Sequence, residues 1–291
     1  MVIGFSKEAC RLACAKMVVV DELLFSYVEG MRFRHFCSVA CPKFDPPSRR
    51  TIVRDIYQLY LSEKLELRNN LTTQHQRVSL TTDTWTSIQN INYMSLTTHY
   101  VDSNWMLKKR ILNFCVIPNH KGESIGNVIE SCLHEWGLDK VFTITVDNVS
   151  ANETAISYLR RKMIGWDNDG CVLDGKYLHM RCSVHIINLI VCEGVKEAHD
   201  SIVEKKMTWK DIYWMLVKIY KDVLAIQVST VASKSAFSMG GRILDPFRSS
   251  LTAKMVEILV CTQNWPKSTP SENKFYMEDA EYYNKLDEGN Y

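Results

Sequence analysis

The sequence predicts an α/β fold: a mixed sheet preceded by a helical N-terminal region and followed by a helical C-terminal segment. Two observations carry this. The hydrophobic period is helical through residue 72, turns to strand-like alternation from Arg77, and then gives way to helical stretches broken by one short apolar run. At 291 residues, 46% of them hydrophobic, the chain can also bury a substantial core.

Taken in order, Ser6 is a candidate N-cap for "KEACRLACAKMVVVDELLFSYVEG", whose apolar spacing predicts one helix running to Gly30. Pro46 and Pro47 then stop the chain, Ser48 can cap, and Ile52, Ile56, Leu59 and Tyr60 form the stripe of a second helix. "RVSLTTDTWTS", "NYMSLTTHYVD" and "WMLKKRILNFCVI" are rich in β-branched residues and separated by short polar turns, so they read as three antiparallel strands. Ile125, Val128, Ile129, Cys132 and Leu133 set the next helix, "KVFTITVDN" a buried strand, and "NETAISYLRRKM", with Asn152 as its cap, another helix.

The order β, β, β, α, β, α belongs to few architectures, and a ribonuclease-H-like mixed sheet is the one it fits. In that arrangement the first and fourth strands are neighbours. Asp83 sits late in the first and Asp147 at the end of the fourth, so two carboxylates converge at the sheet's carboxyl edge, where open sheets bind ligands. Such a pair can begin a Mg²⁺ or Mn²⁺ site for a two-metal reaction. Taken singly, Asp83 can equally close an Asx turn and Asp147 can turn the chain into its helix.

Charge and cysteine content narrow the classes. A net charge of +2 excludes a wholly polycationic surface and leaves only local basic patches: Arg49, Arg50 and Arg54; Lys108, Lys109 and Arg110; Arg160, Arg161 and Lys162. Each can contact phosphate or simply be solvated. No stretch approaches the ~18 apolar residues of a membrane span, and Lys7, Glu8 and Arg11 do not suit a signal peptide, so no membrane partner is expected. The ten cysteines are scattered, which suits reduced thiols. Cys10, Cys14, Cys37 and Cys41 make two C-x3-C pairs that can either pack in a core or hold zinc.

"SLTTDTWTS", "TITVDNVSAN", "HMRCSVHIINLIV" and "VASKSAFSMGGRILDPFRSSL" resemble, in the same order, blocks of the hAT transposases, in particular the RICESLEEPER- and DAYSLEEPER-like BED-finger proteins of plants. The resemblance implies a ribonuclease-H-like core with an Asp, Asp, Glu triad for DNA strand cleavage and transfer, a large helical insertion, and a C-terminal dimerisation region. Carried onto this chain, the aspartates are Asp83 and Asp147. Cys182 and His185 match a Cys-x-x-His motif associated with arranging the core and DNA, and the third acid falls at Lys234.

Three departures accompany it. The chain opens directly in the first helix, without the family's N-terminal finger. Only "DSIVEKKMTWKDIYWMLVKI" stands where the family carries its insertion. An ammonium replaces a carboxylate at position 234, and it has no lone pair for a metal. The resulting division is a helical region over 1–72, an incomplete ribonuclease-H-like core over 73–203, a remnant of the insertion over 204–221, a dimerisation region over 222–265 and a disordered tail over 266–291.

These readings lead to a domesticated or degenerate transposase-like protein of the nucleus, binding DNA weakly and requiring no cofactor. It pairs with itself or with full-length relatives through Phe237, Leu251, Met255, Ile258, Leu259 and Trp265, with burial of this C-terminal stripe against the chain's own domain as the equal alternative. Trp85 can stack a base or, as its apolar ring favours, pack in the core. The alternatives are a residual Mg²⁺-dependent nuclease using Asp83 and Asp147, or a module that acts only by pairing.

Overall fold

A computed structural model describes residues 5–73, 77–166, 170–183, 229–244 and 251–265. His185, the 204–221 remnant and the 266–291 tail therefore lie outside the described residues. The chain forms two compact units: the residues up to Leu67 together with those from Ile258 onward, and Arg68–Glu257.

The first unit is helical, with α1 over Lys7–Val20, α2 over Met31–Ala40 and α3 over Arg49–Thr73, the last entering the second unit. Ser6 caps α1 as expected, its hydroxyl accepting from the Ala9 N–H at 3.1 Å. The single helix predicted to reach Gly30 does not form. Asp21 closes α1, Glu22 takes a left-handed φ of 52°, and a 3-10 turn follows over Phe25–Glu29. A left-handed residue cannot propagate a right-handed helix, so the apolar period of "DELLFSYVEG" serves packing in another conformation. Cys14, Val18, Ile52, Ile56 and Tyr60 are buried, and Arg11 pairs with Asp55 between α1 and α3.

The last helix among the described residues, α7 over Ala253–Asn264, ends in the same unit. Trp265 stacks on Tyr60 with ring centres 5.3 Å apart, and the Gln263 side-chain amide donates to the Val20 carbonyl at 3.0 Å. Ile258, Leu259 and Trp265 are buried. These three residues, given as a dimer face or as packed within the chain, are buried within the chain, Trp265 against Tyr60 of α3.

In the second unit β1 (Val78–Thr86), β2 (Asn92–Val101), β3 (Leu107–Val116), β4 (Val141–Val146) and β5 (His179–Arg181) form one sheet in the order β3-β2-β1-β4-β5. β1 and β2 are antiparallel, as are β2 and β3, while β1 and β4 run parallel through the crossover helix α4 over Gly122–Trp136. Helix α4 stops at Gly137, whose φ of 65° lets Leu138 return its N–H to the Leu133 carbonyl. Helix α5 over Ser150–Ile164 leads toward the short parallel strand β5, which the sequence pattern did not reveal. The mixed α/β sheet with its first and fourth strands side by side is the predicted one.

Candidate functional site

The register of β1 and β4 fixes the two aspartates. Thr81 pairs with Thr145 in the parallel ladder, and Asp83 and Asp147 each lie two residues further along. Side chains alternate across a strand, so Thr81, Asp83 and Trp85 share one face of β1. That face is covered by "VASKSAFSMGG", which folds as α6 over Val231–Ile243.

The small residues of α6 explain its closeness to the sheet. Ser233, Phe237 and Gly240 follow the i, i+4, i+7 spacing of one helical face. The Ser233 hydroxyl donates to Thr81 Oγ1 at 3.0 Å, and Phe237 stacks on Trp85 with ring centres 5.9 Å apart. A Cβ at Gly240 would lie 2.6 Å from Phe114 Cζ, so only glycine fits there without displacing a buried ring. Beside this face Lys234 reaches the sheet, its Nζ 3.9 Å from Asp83 Oδ2. The start of α6 is anchored by Cys182, whose sulfur accepts from Thr230 N–H at 3.4 Å and from Thr230 Oγ1 at 3.5 Å. Cys182 also donates its N–H to the Val146 carbonyl at 2.9 Å, so this thiol couples the end of β4 to the helix carrying Lys234.

Asp83 is buried, and its Oδ1 accepts the N–H of Thr84 at 2.8 Å. Asp147 is half-buried and accepts from the Asn152 side-chain amide. Asn152, expected to cap α5, lies inside that helix, whose N-cap is Val149. Sequence reasoning missed this holding role. Its available signal was the five-residue step from Asp147 to Asn152 across a strand-to-helix turn.

The donor set does not fit a two-metal centre. The Asp83 carboxylate faces the Thr84 N–H on one oxygen and the Lys234 ammonium on the other, and Asp147 accepts from Asn152. Among the described residues no group of three or more His, Cys, Asp or Glu side chains is arranged to hold a metal ion. Lys234 is half exposed, so solvent screens its 3.9 Å pairing with the buried Asp83 and leaves little of it as stability. Its importance therefore lies in the charge it presents to Asp83, not in stability.

Three other expectations narrow. Trp85 is half-buried, with Phe237 and Tyr93 rings 5.9 and 6.0 Å away, which favours its packing role. Phe237, expected at a dimer face, is buried against Trp85 and Phe114. Arg160 donates to the Asp174 carbonyl at 2.8 Å and Lys162 lies 3.9 Å from Glu130, so these two cations have protein partners. Arg161 is exposed, while Leu251 and Met255 are half-exposed. No helix among the described residues is long and apolar enough to cross a membrane.

Comparison with known families joins these pieces. Residues 81–177, holding both aspartates, match the ZBED1 RNase-like domain, and residues 207–266, holding Lys234, match the hAT family C-terminal dimerisation region. The chain is 35% identical over 180 residues to the "Putative AC transposase" of Zea mays, a match covering 61% of this chain and 22% of that protein. It is 30% identical over 201 residues to "Zinc finger BED domain-containing protein RICESLEEPER 2" of Oryza sativa subsp. japonica, covering 68% of this chain and 28% of that one. With "Zinc finger BED domain-containing protein DAYSLEEPER" of Arabidopsis thaliana the identity is 30% over 182 residues, covering 62% and 26%. The chain thus spans between a fifth and a third of the length of these relatives. With a ribonuclease-like sheet followed by the matching dimerisation region, it belongs to the hAT transposase family.

Proposed function

We propose that this chain is a domesticated or degenerate hAT transposase-like protein that binds DNA and self-associates, in the nucleus, without strand-transfer activity. One observation carries the reading: Lys234, onto which the family resemblance carries the third acid, has its ammonium 3.9 Å from Asp83 Oδ2. A divalent ion does two things for phosphoryl transfer. It neutralises the carboxylates, and it lowers the pKa of a bound water or hydroxyl to make a nucleophile. An ammonium does only the first, because it accepts no ligand. Lys234 therefore gives the acidic edge a fixed positive partner without the chemistry. Self-association rests on the matching dimerisation region, and DNA binding on the transposase relatives and the exposed Arg161.

The test is a thermal melt with and without Mn²⁺ on the parent chain and on Lys234→Glu, run beside an assay on nicked and hairpin DNA. A ligand that binds only the folded state raises the midpoint. The parent should show no Mn²⁺-dependent shift and no cleavage, while the Glu variant gains a shift. The shared register of Asp83 and Asp147 favours one other reading, a residual metal-dependent nuclease. Cleavage by the parent that disappears in Asp83→Ala would establish that reading and overturn the first.

A further inference from the structure

The turn between β2 and β3 presents a surface that the acidic edge does not use. Trp105, Met106 and Leu107 are 46%, 58% and 52% exposed, and no other three consecutive large apolar side chains among the described residues are exposed. Single exposed apolar residues are ordinary, whereas a run of them at a strand junction marks a contact surface. The turn holds them outward. Asp102 Oδ1 accepts the Asn104 and Met106 N–H groups, both at 2.9 Å, and the Lys108 ammonium stands 3.3 Å from Oδ2. The Asp102 N–H donates to the Met106 carbonyl at 3.0 Å, and the Trp105 N–H to the Asp102 carbonyl at 3.1 Å. Within this frame Trp105 has a φ of 61°, a left-handed conformation that a bulky side chain rarely adopts.

The strand that follows carries the charge. Lys108, Lys109 and Arg110 come directly after the apolar tip, β3 contains no acid, and Asp102, the one acid of the turn, is engaged by the bonds above. Lys109 lies across the ladder from His99 and Arg110 from Thr98, so the alternation of a strand puts cations on both faces of the ribbon. Lys109 donates to the Ser235 hydroxyl at 3.1 Å and Arg110 to the Lys109 carbonyl at 2.7 Å, acceptors that carry no charge. β3 is also the edge strand, so the ribbon stands at the margin of the sheet. Its tip is far from the aspartates. Six steps along β2 separate Ser95, the partner of Asp83, from Val101, which is about 20 Å at a rise of about 3.4 Å per residue.

We propose that this hairpin tip is a contact surface for duplex DNA, in which Trp105, Met106 and Leu107 wedge between base steps from the minor groove and bend the duplex, while Lys108, Lys109 and Arg110 meet the flanking phosphates. The inference rests on the DNA-binding reading above and is independent of the Asp83–Lys234 edge. Apolar side chains inserted between base steps kink a duplex, and the cost of unstacking is offset by the contacts that the bend permits. Protein-binding surfaces are depleted in lysine, so an apolar tip joined directly to lysines and an arginine favours a polyanion. The two halves of the ribbon then have separable effects. Phosphate contacts set the salt dependence of binding, and the wedge sets the bend.

The experiment uses the full chain and a short duplex with a central TA step, which kinks easily, and a fluorophore at each end. Energy transfer between the ends reports bending, and anisotropy from about 50 to 200 mM salt reports the slope of affinity. The parent should bend the duplex. Trp105→Gly, which removes the ring and suits the left-handed φ, and Met106→Ser should each remove roughly half or more of the transfer change at saturating protein while leaving the salt slope alone. Lys109→Gln and Arg110→Gln should each lower the magnitude of that slope by about one. Circular dichroism checks that each variant is folded. The proposal is overturned if bending survives both tip variants or the slope survives both cation variants. If binding in that case weakens in Arg161→Gln, the DNA-binding reading stands and only the hairpin assignment fails, whereas a parent that binds no duplex sinks both. Binding of the parent to phosphatidylserine vesicles that is lost in Trp105→Gly, with no bending of the duplex, also overturns it and assigns the tip to a membrane surface.

Discussion

At the residue scale, one hydrogen-bond chain shows how α6 is tied to the sheet. Ser233 donates to Thr81 Oγ1, so the Thr81 hydroxyl proton is free to go to His99 Nε2, 3.1 Å away. His99 then accepts at Nε2 and is neutral, with its proton on Nδ1. Burial, aided by Lys109, lowers its pKa to about 3, the direction this tautomer requires. Between the unfolded value of 6.5 and about 3, the unfolded chain binds this proton and the folded chain does not. Stability is therefore full above pH 6.5 and falls with pH through that window, by about 1.4 kcal/mol per pH unit. Urea titrations at pH 7 and pH 5 should show that His99→Gln loses roughly one proton's share of the acid slope while other titrating groups keep theirs. An unchanged slope would mean that His99 is not held neutral. None of this was legible in the sequence, because Thr81, His99 and Ser233 are brought together by sheet register and helix docking. Asp83 and Asp147 were legible, since Asp83 lies late in β1 and Asp147 directly follows β4, two strands whose period is visible locally.

At the element scale, the sheet was readable because alternation and polar turns are local signals, and the helical crossover constrains the strand order. Two helices were not. The left-handed Glu22 splits the helix expected to run to Gly30 into α1 and a 3-10 turn, and the separate α2 over Met31–Ala40 was not read from the pattern at all. The small side chains and glycine pair of "VASKSAFSMGG" weaken helix propensity, yet α6 forms because tertiary packing outweighs it. That balance is testable at Gly240. Replacing glycine by alanine in a helix interior gains about 1 kcal/mol. Here the added methyl would meet Phe114 Cζ at 2.6 Å, and that ring is held by Tyr93 and Phe237 with centres 5.1 and 6.0 Å away. Overpacking costs about 1–3 kcal/mol, so Gly240→Ala should be net destabilising. Combining it with Phe114→Leu should restore more than the two single changes predict by addition. Additive losses in chemical denaturation would show that α6 does not seat on Phe114.

At the scale of the whole molecule, the helical unit depends on contacts between the two ends of the described chain. Trp265 on Tyr60 and Gln263 on Val20 join residues that local pattern cannot relate, which is why Ile258, Leu259 and Trp265 read as a dimer stripe. The amphipathic spacing shows that a face must be buried and is silent on what buries it. Self-association, if it uses α7 as seen here, is then left to its half-exposed residues, and two substitutions separate the roles. Met255→Asp should leave the melting midpoint nearly unchanged while weakening any concentration-dependent mass increase in light scattering. Trp265→Ala removes a buried ring, a change that costs about 3–5 kcal/mol in a core. It should accelerate amide exchange in α1 and the Tyr60 region of α3 while β1 to β4 keep their protection, because exchange follows the local unit in which the contact is lost. If Trp265→Ala instead abolishes the mass increase and leaves exchange in α1 untouched, the ring belongs to a second copy in solution, and the packing of α7 within its own chain would have to be redrawn.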